Sequence, residues 1–243
     1  MTLDEMKDYV RDKDIILVGN SLDALELKLG ESIDNYDITV RFGKGLPEPI
    51  TFDRIGTNTH IWVTGQLRMN SYTLLPRVTK ILFNDSIFNE NLGYPDVDHL
   101  SMYTRDEIDD LAIAYGATSG KRISVGALTA HYFGHKCTTW KSLTIIHFDA
   151  FTKITPFHAQ TSNSTQWTAS WHLPMLRAEH ANPNYRIEDL SPAHDTDCEI
   201  RILNEVLALP NVHWRGDPLT NTPELLEQAL VKYTPGRTVI PKP

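Results

Sequence analysis

The chain has 243 residues and a mass of 27.6 kDa, with 41% hydrophobic and 22% charged residues, a size and balance that fit one large α/β domain better than two small ones. A formal net charge of −8 and a pI near 5.6 speak against a dedicated nucleic-acid coat, while a local basic cleft stays compatible with them. Two cysteines, Cys137 and Cys198, are too few for a disulfide framework or a zinc site, no apolar run reaches bilayer length, and Met1–Lys13 is charged and helix-like without a signal-peptide core; the expectation is a soluble cytoplasmic protein without a membrane span.

In chain order, short apolar runs predict strands at 15–18, 36–42, 60–64, 80–83, 143–148 and 211–214. Helical spacing predicts helices at 22–29, stopped by Gly30, and at 104–115, 123–135, 195–208 and 223–233. Strands alternating with helices predict a single α/β domain over 1–243, with a mostly parallel sheet covered by helices on both faces. The stretches 44–58 and 85–103 read as loops. The interval 152–193 holds Pro156, Pro174, Pro183 and Pro192 with little periodicity, and reads as an irregular lid or acceptor segment.

Three segments carry candidate chemistry. Ile15–Val18 leads into Gly19-Asn20-Ser21, where small residues would let a ligand phosphate approach the backbone at a helix N-terminus; a plain βα turn reads the same way, and the dinucleotide pattern G-x-G-x-x-G is absent. The second is Ala117-Thr118-Ser119-Gly120-Lys121-Arg122, directly before the helix predicted at 123–135, with hydroxyls, a glycine and two cations in its first turn. Cations there oppose the dipole unless an anion sits beside them, although an ordinary cap with solvated basic side chains reads alike. The third is His194-Asp195-Thr196-Asp197-Cys198-Glu199. Thr196-x-x-Glu199 fits a capping box, which accounts for the acids but leaves His194 to face a pocket and titrate near neutral pH.

Taken in order, these segments resemble the motifs of the sialyltransferases, glycosyltransferase family 29. Val18-Gly19-Asn20-Ser21 with Tyr36-Asp37, Val40-Arg41-Phe42 and Ile55-Gly56-Thr57-Asn58-Thr59-His60 resembles the large sialylmotif. Thr118-Ser119-Gly120, Cys137 and His147-Phe148 resemble the small one, and His194-x-x-x-x-Glu199 the very small one. The resemblance spans residues 14–200 and implies a single Rossmann-like α/β domain and an inverting, metal-independent transfer of a sugar from a nucleotide-sugar donor, with a cytidine-monophosphate sugar first, without a cofactor. It gives Gly19, Asn20, Ser21, Arg41, Thr118, Ser119 and Gly120 to the donor, His194 to general-base catalysis and Glu199 to local geometry.

There are departures. The large motif usually has Asn where this chain has Gly43, so the base and the sugar stay open. The family's disulfide would join positions 15 and 137, and Ile15 occupies the first, which leaves Cys137 a free thiol. The third family motif is not evident; Arg177 stands near its histidine position with His180 close by, and either would stabilise the leaving phosphate. Asp96-x-Asp98 and Asp195-x-Asp197 match the D-x-D pattern of metal-dependent glycosyltransferases, but such pairs are frequent in an acidic chain and no metal is expected. A member of this kind without a membrane span or the disulfide points to a microbe or a virus-infected cell. The acceptor would be a glycan or, with Lys121, Arg122, Arg177 and Arg186 as cleft cations, a hydroxymethylated pyrimidine of phage DNA. A non-catalytic nucleotide-binding module is the competing class, and a hydrolase using Ser21 lacks the G-x-S-x-G elbow.

Overall fold

The computed structural model describes residues 1–20, 28–42, 47, 52–63, 80–83, 98–148 and 194–215. Seven strands form one sheet: β1 (Asp14–Val18), β2 (Ile38–Phe42), β3 (Ile61–Val63), β4 (Lys80–Phe83), β5 (Asp98–Ser101), β6 (Ser142–Ile146) and β7 (Val212–Arg215). Their order is β5-β4-β3-β2-β1-β6-β7, and all six pairings are parallel. The fold is therefore α/β with a fully parallel sheet, as the alternation of elements predicted.

Buried strands explain the apolar runs, because a parallel sheet covered on both sides leaves few strand positions for polar side chains. On one face Ile15, Leu17, Ile38, Val40, Ile61, Leu143 and Ile145 join a large cluster with Met6 and Val10 of helix α1 (Leu3–Val10). The same cluster holds Ala127 and Leu128 of α5 (Val125–His131) and Ile202, Leu203 and Val206 of α6 (Thr196–Leu207). Alternate residues Ile16, Val18 and Ile146 face the other way and pack on Ile33 of α2 (Gly30–Asp34). The two short helices α2 and α3 (Phe52–Ile55) touch so closely that a Cβ on Gly30 would lie 2.0 Å from the Phe52 carbonyl oxygen.

Three readings need correction. Gly30 opens α2 where a helix stop was expected, since its missing side chain is what admits the α3 backbone. The interval 85–103 contains β5, whose residues are only half-buried to exposed because it is the sheet edge, so no apolar run announced it. The interval 44–58 likewise contains α3. The helix expected at 104–115 is α4 (Arg105–Ala114), closed by a Thr104–Glu107 capping box. The run at 123–135 divides into α5 and a π-helical turn, Tyr132–Lys136. The helices expected at 22–29 and 223–233 and the segment 152–193 lie outside the described residues, apart from Lys28 and Leu29, which are not helical.

From β1 the chain steps outward through β2 to β5, then returns to place β6 on the other side of β1. The carboxyl ends of β1 and β6 therefore flank the point where the strand order reverses, the usual place for a ligand crevice in an open α/β sheet.

Candidate active site

At the end of β1, Gly19 donates its N–H to the Ile146 carbonyl at 2.8 Å. A Cβ built there would fall 2.1 Å from the His147 carbonyl oxygen and 2.7 Å from the Phe148 ring. That side of the glycine is filled by the protein's own β6 end, where the backbone leaves the strand through a positive φ of 59° at His147. Its small size answers to strand packing there. The Phe148 ring stands edge-on to Phe42 at 5.4 Å between centroids, and a Cβ on Gly126 would touch it at 3.1 Å. The ends of β1, β2 and β6 thus meet the start of α5 around one aromatic ring. Half-buried Asn20 donates its amide to the Phe42 carbonyl at 3.1 Å, which leaves its side-chain oxygen as the group to meet a ligand. Ser21 lies outside the described residues.

Arg41 is fully buried on β2. Its Nε donates to the Asn58 carbonyl at 2.8 Å and one terminal nitrogen to the Ile55 carbonyl, so most of the guanidinium holds the loop that follows α3. Burial lowers its pKa to about 10, against the pull of Asp34, yet it stays charged at neutral pH. The other terminal nitrogen is buried and makes no hydrogen bond among the described residues. Asp34 completes this loop by accepting from the backbone of Thr57 and Asn58 at 2.8–2.9 Å. The Ile55–His60 segment is therefore built as a rigid connection beside β2.

The second and third segments are joined directly. Thr118, Ser119, Gly120 and Lys121 form a β-turn closed by a 2.9 Å bond from Lys121 N–H to the Thr118 carbonyl, with Gly120 at φ 82°. Among the described residues nothing lies within 4 Å of the position a Gly120 Cβ would take, and Thr118, Ser119 and Gly120 are exposed. The helix begins only at Val125, capped by Ser124, whose hydroxyl accepts from Ala127 N–H at 3.1 Å. Lys121 and Arg122 therefore precede the helix instead of occupying its first turn, and the argument from dipole repulsion does not apply to them.

Asp195 caps α6, accepting from Cys198 N–H at 3.0 Å through one oxygen and from Thr118 N–H at 2.8 Å through the other. Partial burial opposes its ionisation, but these hydrogen bonds hold its carboxyl below the usual range. Asp195, and not Thr196, stands at the N-cap, and Glu199, 2% exposed, turns to Ser124 instead of the helix end. One of its oxygens accepts from Ser124 N–H and the other from the Ser124 hydroxyl at 2.6 Å. The contact across 75 residues is more favourable for a buried carboxylate than a cap at an exposed helix end, since it supplies two donors where water is excluded.

His194 runs beside Arg122 in a parallel bridge, with Nδ1 3.1 Å from the Arg122 carbonyl oxygen. A carbonyl can only accept, so Nδ1 carries the proton and Nε2 is the basic nitrogen. Burial lowers the pKa, reinforced by the charges of Arg122 and Lys121 and opposed by the Arg122 backbone bond. The imidazole is therefore neutral at pH 7. The structure brings together Thr118, Ser119, Gly120, His194 and Glu199, and links Gly19 and Asn20 to them through Phe148, Gly126 and Ser124. Arg177, His180, Arg186 and Asp96 lie outside the described residues.

Sequence reasoning missed Ser124 and the double role of Asp195, and placed Phe148 in the small motif without its part in joining the strand ends. A Ser preceding a helix and an Asp at Ncap are readable signals, but the partner of each lies more than 70 residues away. Of the D-x-D pairs, Asp98 is ion-paired with Lys80 across β4 and β5, and Asp195 is spent on its cap. Cys137 and Cys198 are free buried thiols, and burial pushes Cys137 up to about 12. Among the described residues no helix is long and apolar enough to cross a membrane.

No protein-family model and no curated protein sequence matches this chain. Among solved structures it is similar to a crystal structure of a mammalian sialyltransferase in complex with Gal-β-1-3GalNAc-ortho-nitrophenol, at 14% identity over 86% of this chain and 71% of that one, with a TM-score of 0.49. A further crystal structure of a mammalian sialyltransferase gives 13% identity over 88% of this chain and 78% of that one, also with a TM-score of 0.49.

Proposed function

We propose that this chain is an inverting, metal-independent glycosyltransferase of one domain, which moves a sugar from a nucleotide-sugar donor to an acceptor hydroxyl with His194 as general base. The observation that carries this reading is the junction of the Thr118–Gly120 turn with the His194–Glu199 segment, which sets an open, glycine-bearing turn beside a neutral imidazole. The ordered resemblance to the sialylmotifs supports it independently of the geometry, and favours a cytidine-monophosphate sugar as donor.

In this mechanism the backbone amides of Ser119 and Gly120 and the Asn20 side-chain oxygen hold the nucleotide. Nε2 of His194 takes the acceptor hydroxyl's proton as its oxygen attacks the anomeric carbon, and the nucleotide phosphate departs from the opposite face, so the configuration inverts. A positioned base of this kind contributes about 10²–10⁴-fold. Glu199 and Ser124 act as positioning residues, fixing α6 against α5. Arg177 or His180 meets the leaving phosphate, a role that charge-assisted hydrogen bonds fill without a metal. The acceptor is read by the 152–193 segment, and a glycan or small hydroxylated acceptor is favoured, since the chain's net charge of −8 works against a polyanion.

The test is transfer of label from a cytidine-monophosphate sugar to a glycan panel, unmodified duplex DNA and hydroxymethylated duplex DNA, at low and high salt and with chelator present. Label on glycans that survives chelator while the protein stays folded by circular dichroism is the expected result. Label only on hydroxymethylated duplex, weakening with salt by nearly one log unit per log unit for each phosphate neutralised, would replace the acceptor. Nucleotide binding without any transfer would make the chain a binding module.

A further inference from the structure

At the far end of α5 from Ser124, a second cluster joins the same two helices. His131 closes α5, His135 follows in the π-helical turn, and Glu205 comes from the last turns of α6. We infer that His131, His135 and Glu205 form a binding site for a divalent transition-metal ion of the zinc class, which braces α5 against α6 away from the transfer site.

One candidate ligand atom from each residue lies within 4.8 Å of the other two. His135 Nε2 is 3.2 Å from one Glu205 oxygen, close to the roughly 3.4 Å edge of a tetrahedron with bonds of about 2.1 Å. The two imidazole rings are 4.5 Å apart between centroids and inclined at 41°. From the 4.8 Å bound, at most about 1.4 Å of side-chain movement closes the remaining edges. Two histidines and a carboxylate suit zinc, with a water completing four ligands. A site of this composition escapes a count of cysteines.

The supporting partners are already in place. His131 Nδ1 is 2.7 Å from the Tyr103 hydroxyl, which fixes the ring and leaves Nε2 as the nitrogen to bind the ion. Tyr115 donates its hydroxyl to the second Glu205 oxygen at 2.7 Å, leaving the first to face His135. The Tyr103 and Tyr115 rings also pack on His131, at 5.9 and 5.7 Å between centroids. A hydrogen bond to the far side of each of two ligands is the arrangement that orients metal ligands. A π-helical turn is uncommon and often marks a functional position, and here it carries His135.

The experiment is calorimetric titration of the chelator-stripped full chain with zinc chloride, alongside cobalt(II) absorption. Wild type is expected to bind one ion per chain, to melt at higher temperature with zinc, and to show the intense visible bands of tetrahedral cobalt. His135→Gln and Glu205→Gln, both at exposed positions, should lose affinity by at least 100-fold and lose the cobalt bands while keeping their circular dichroism. Tyr115→Phe should weaken binding about tenfold. No saturable binding by wild type, or binding by both glutamine variants as tight as wild type, would overturn the site. None of these readouts depends on sugar transfer.

Discussion

Gly19 and Gly120 stand in the two turns that looked alike as phosphate sites, and the structure treats them oppositely. Gly19 follows the more conspicuous strand, yet its Cβ position is occupied by the His147 carbonyl at 2.1 Å. Gly120 belongs to the less conspicuous motif, and among the described residues nothing comes within 4 Å of its Cβ position. One glycine is required by the protein's own packing and the other by backbone conformation at an open surface. A small residue at a turn therefore says that something comes close, and only the surroundings say whether it is a neighbouring strand or a ligand.

The comparison is sharpened most by the base that neighbours the open turn. His194→Ala should lower turnover by about 10²–10⁴-fold in a transfer assay while leaving affinity for cytidine monophosphate, measured by calorimetry, nearly unchanged. A variant within threefold of wild type would remove His194 from the reaction. The glycines themselves should separate by observable. Gly19→Ala should destabilise the fold by at least about 3 kcal/mol in denaturant unfolding, because backbone and ring must both move. Gly120→Ala should cost only about 1–2 kcal/mol, from a positive φ without a clash, while weakening nucleotide binding. Equal stabilities for the two variants would erase the distinction.

The smallest expected effect is on acid stability. Burial is the leading cause of the lowered pKa at His60, His131 and His194, with His131 near 4. Each takes up its proton more readily when unfolded, so the folded state binds fewer protons below the ordinary histidine pKa of about 6.5. The stability contributed by neutral histidines is complete above that pH and is lost as pH falls from about 6.5 toward 4. Denaturant midpoints measured with chelator across pH 4–8 check this, and a midpoint that rises on acidification would contradict it.

Much of the sheet was legible because fully buried parallel strands must be continuous apolar runs, as at Ile15–Val18 and Leu143–Ile146. β5 was not, because Asp98 and His99 sit on an exposed edge where no burial pattern is imposed. The partners within the site were legible only as a set. Thr196-x-x-Glu199 has the local spacing of a cap, and nothing near it reveals that Glu199 is drawn instead to Ser124. Lys121 and Arg122 were misplaced because the helix start was set two residues early, which turned loop cations into helix-end cations. At Glu199 a long-range contact overrode a local rule that was sound on its own terms.

Amide hydrogen exchange of the full chain, with and without cytidine monophosphate, tests most directly that the nucleotide sits at the open turn beside His194. The expected result is slowed exchange at Ser119 and Gly120 together with Asn20, while the Gly19 amide, already bonded to Ile146, changes little. Binding that leaves residues 118–121 unchanged would contradict it.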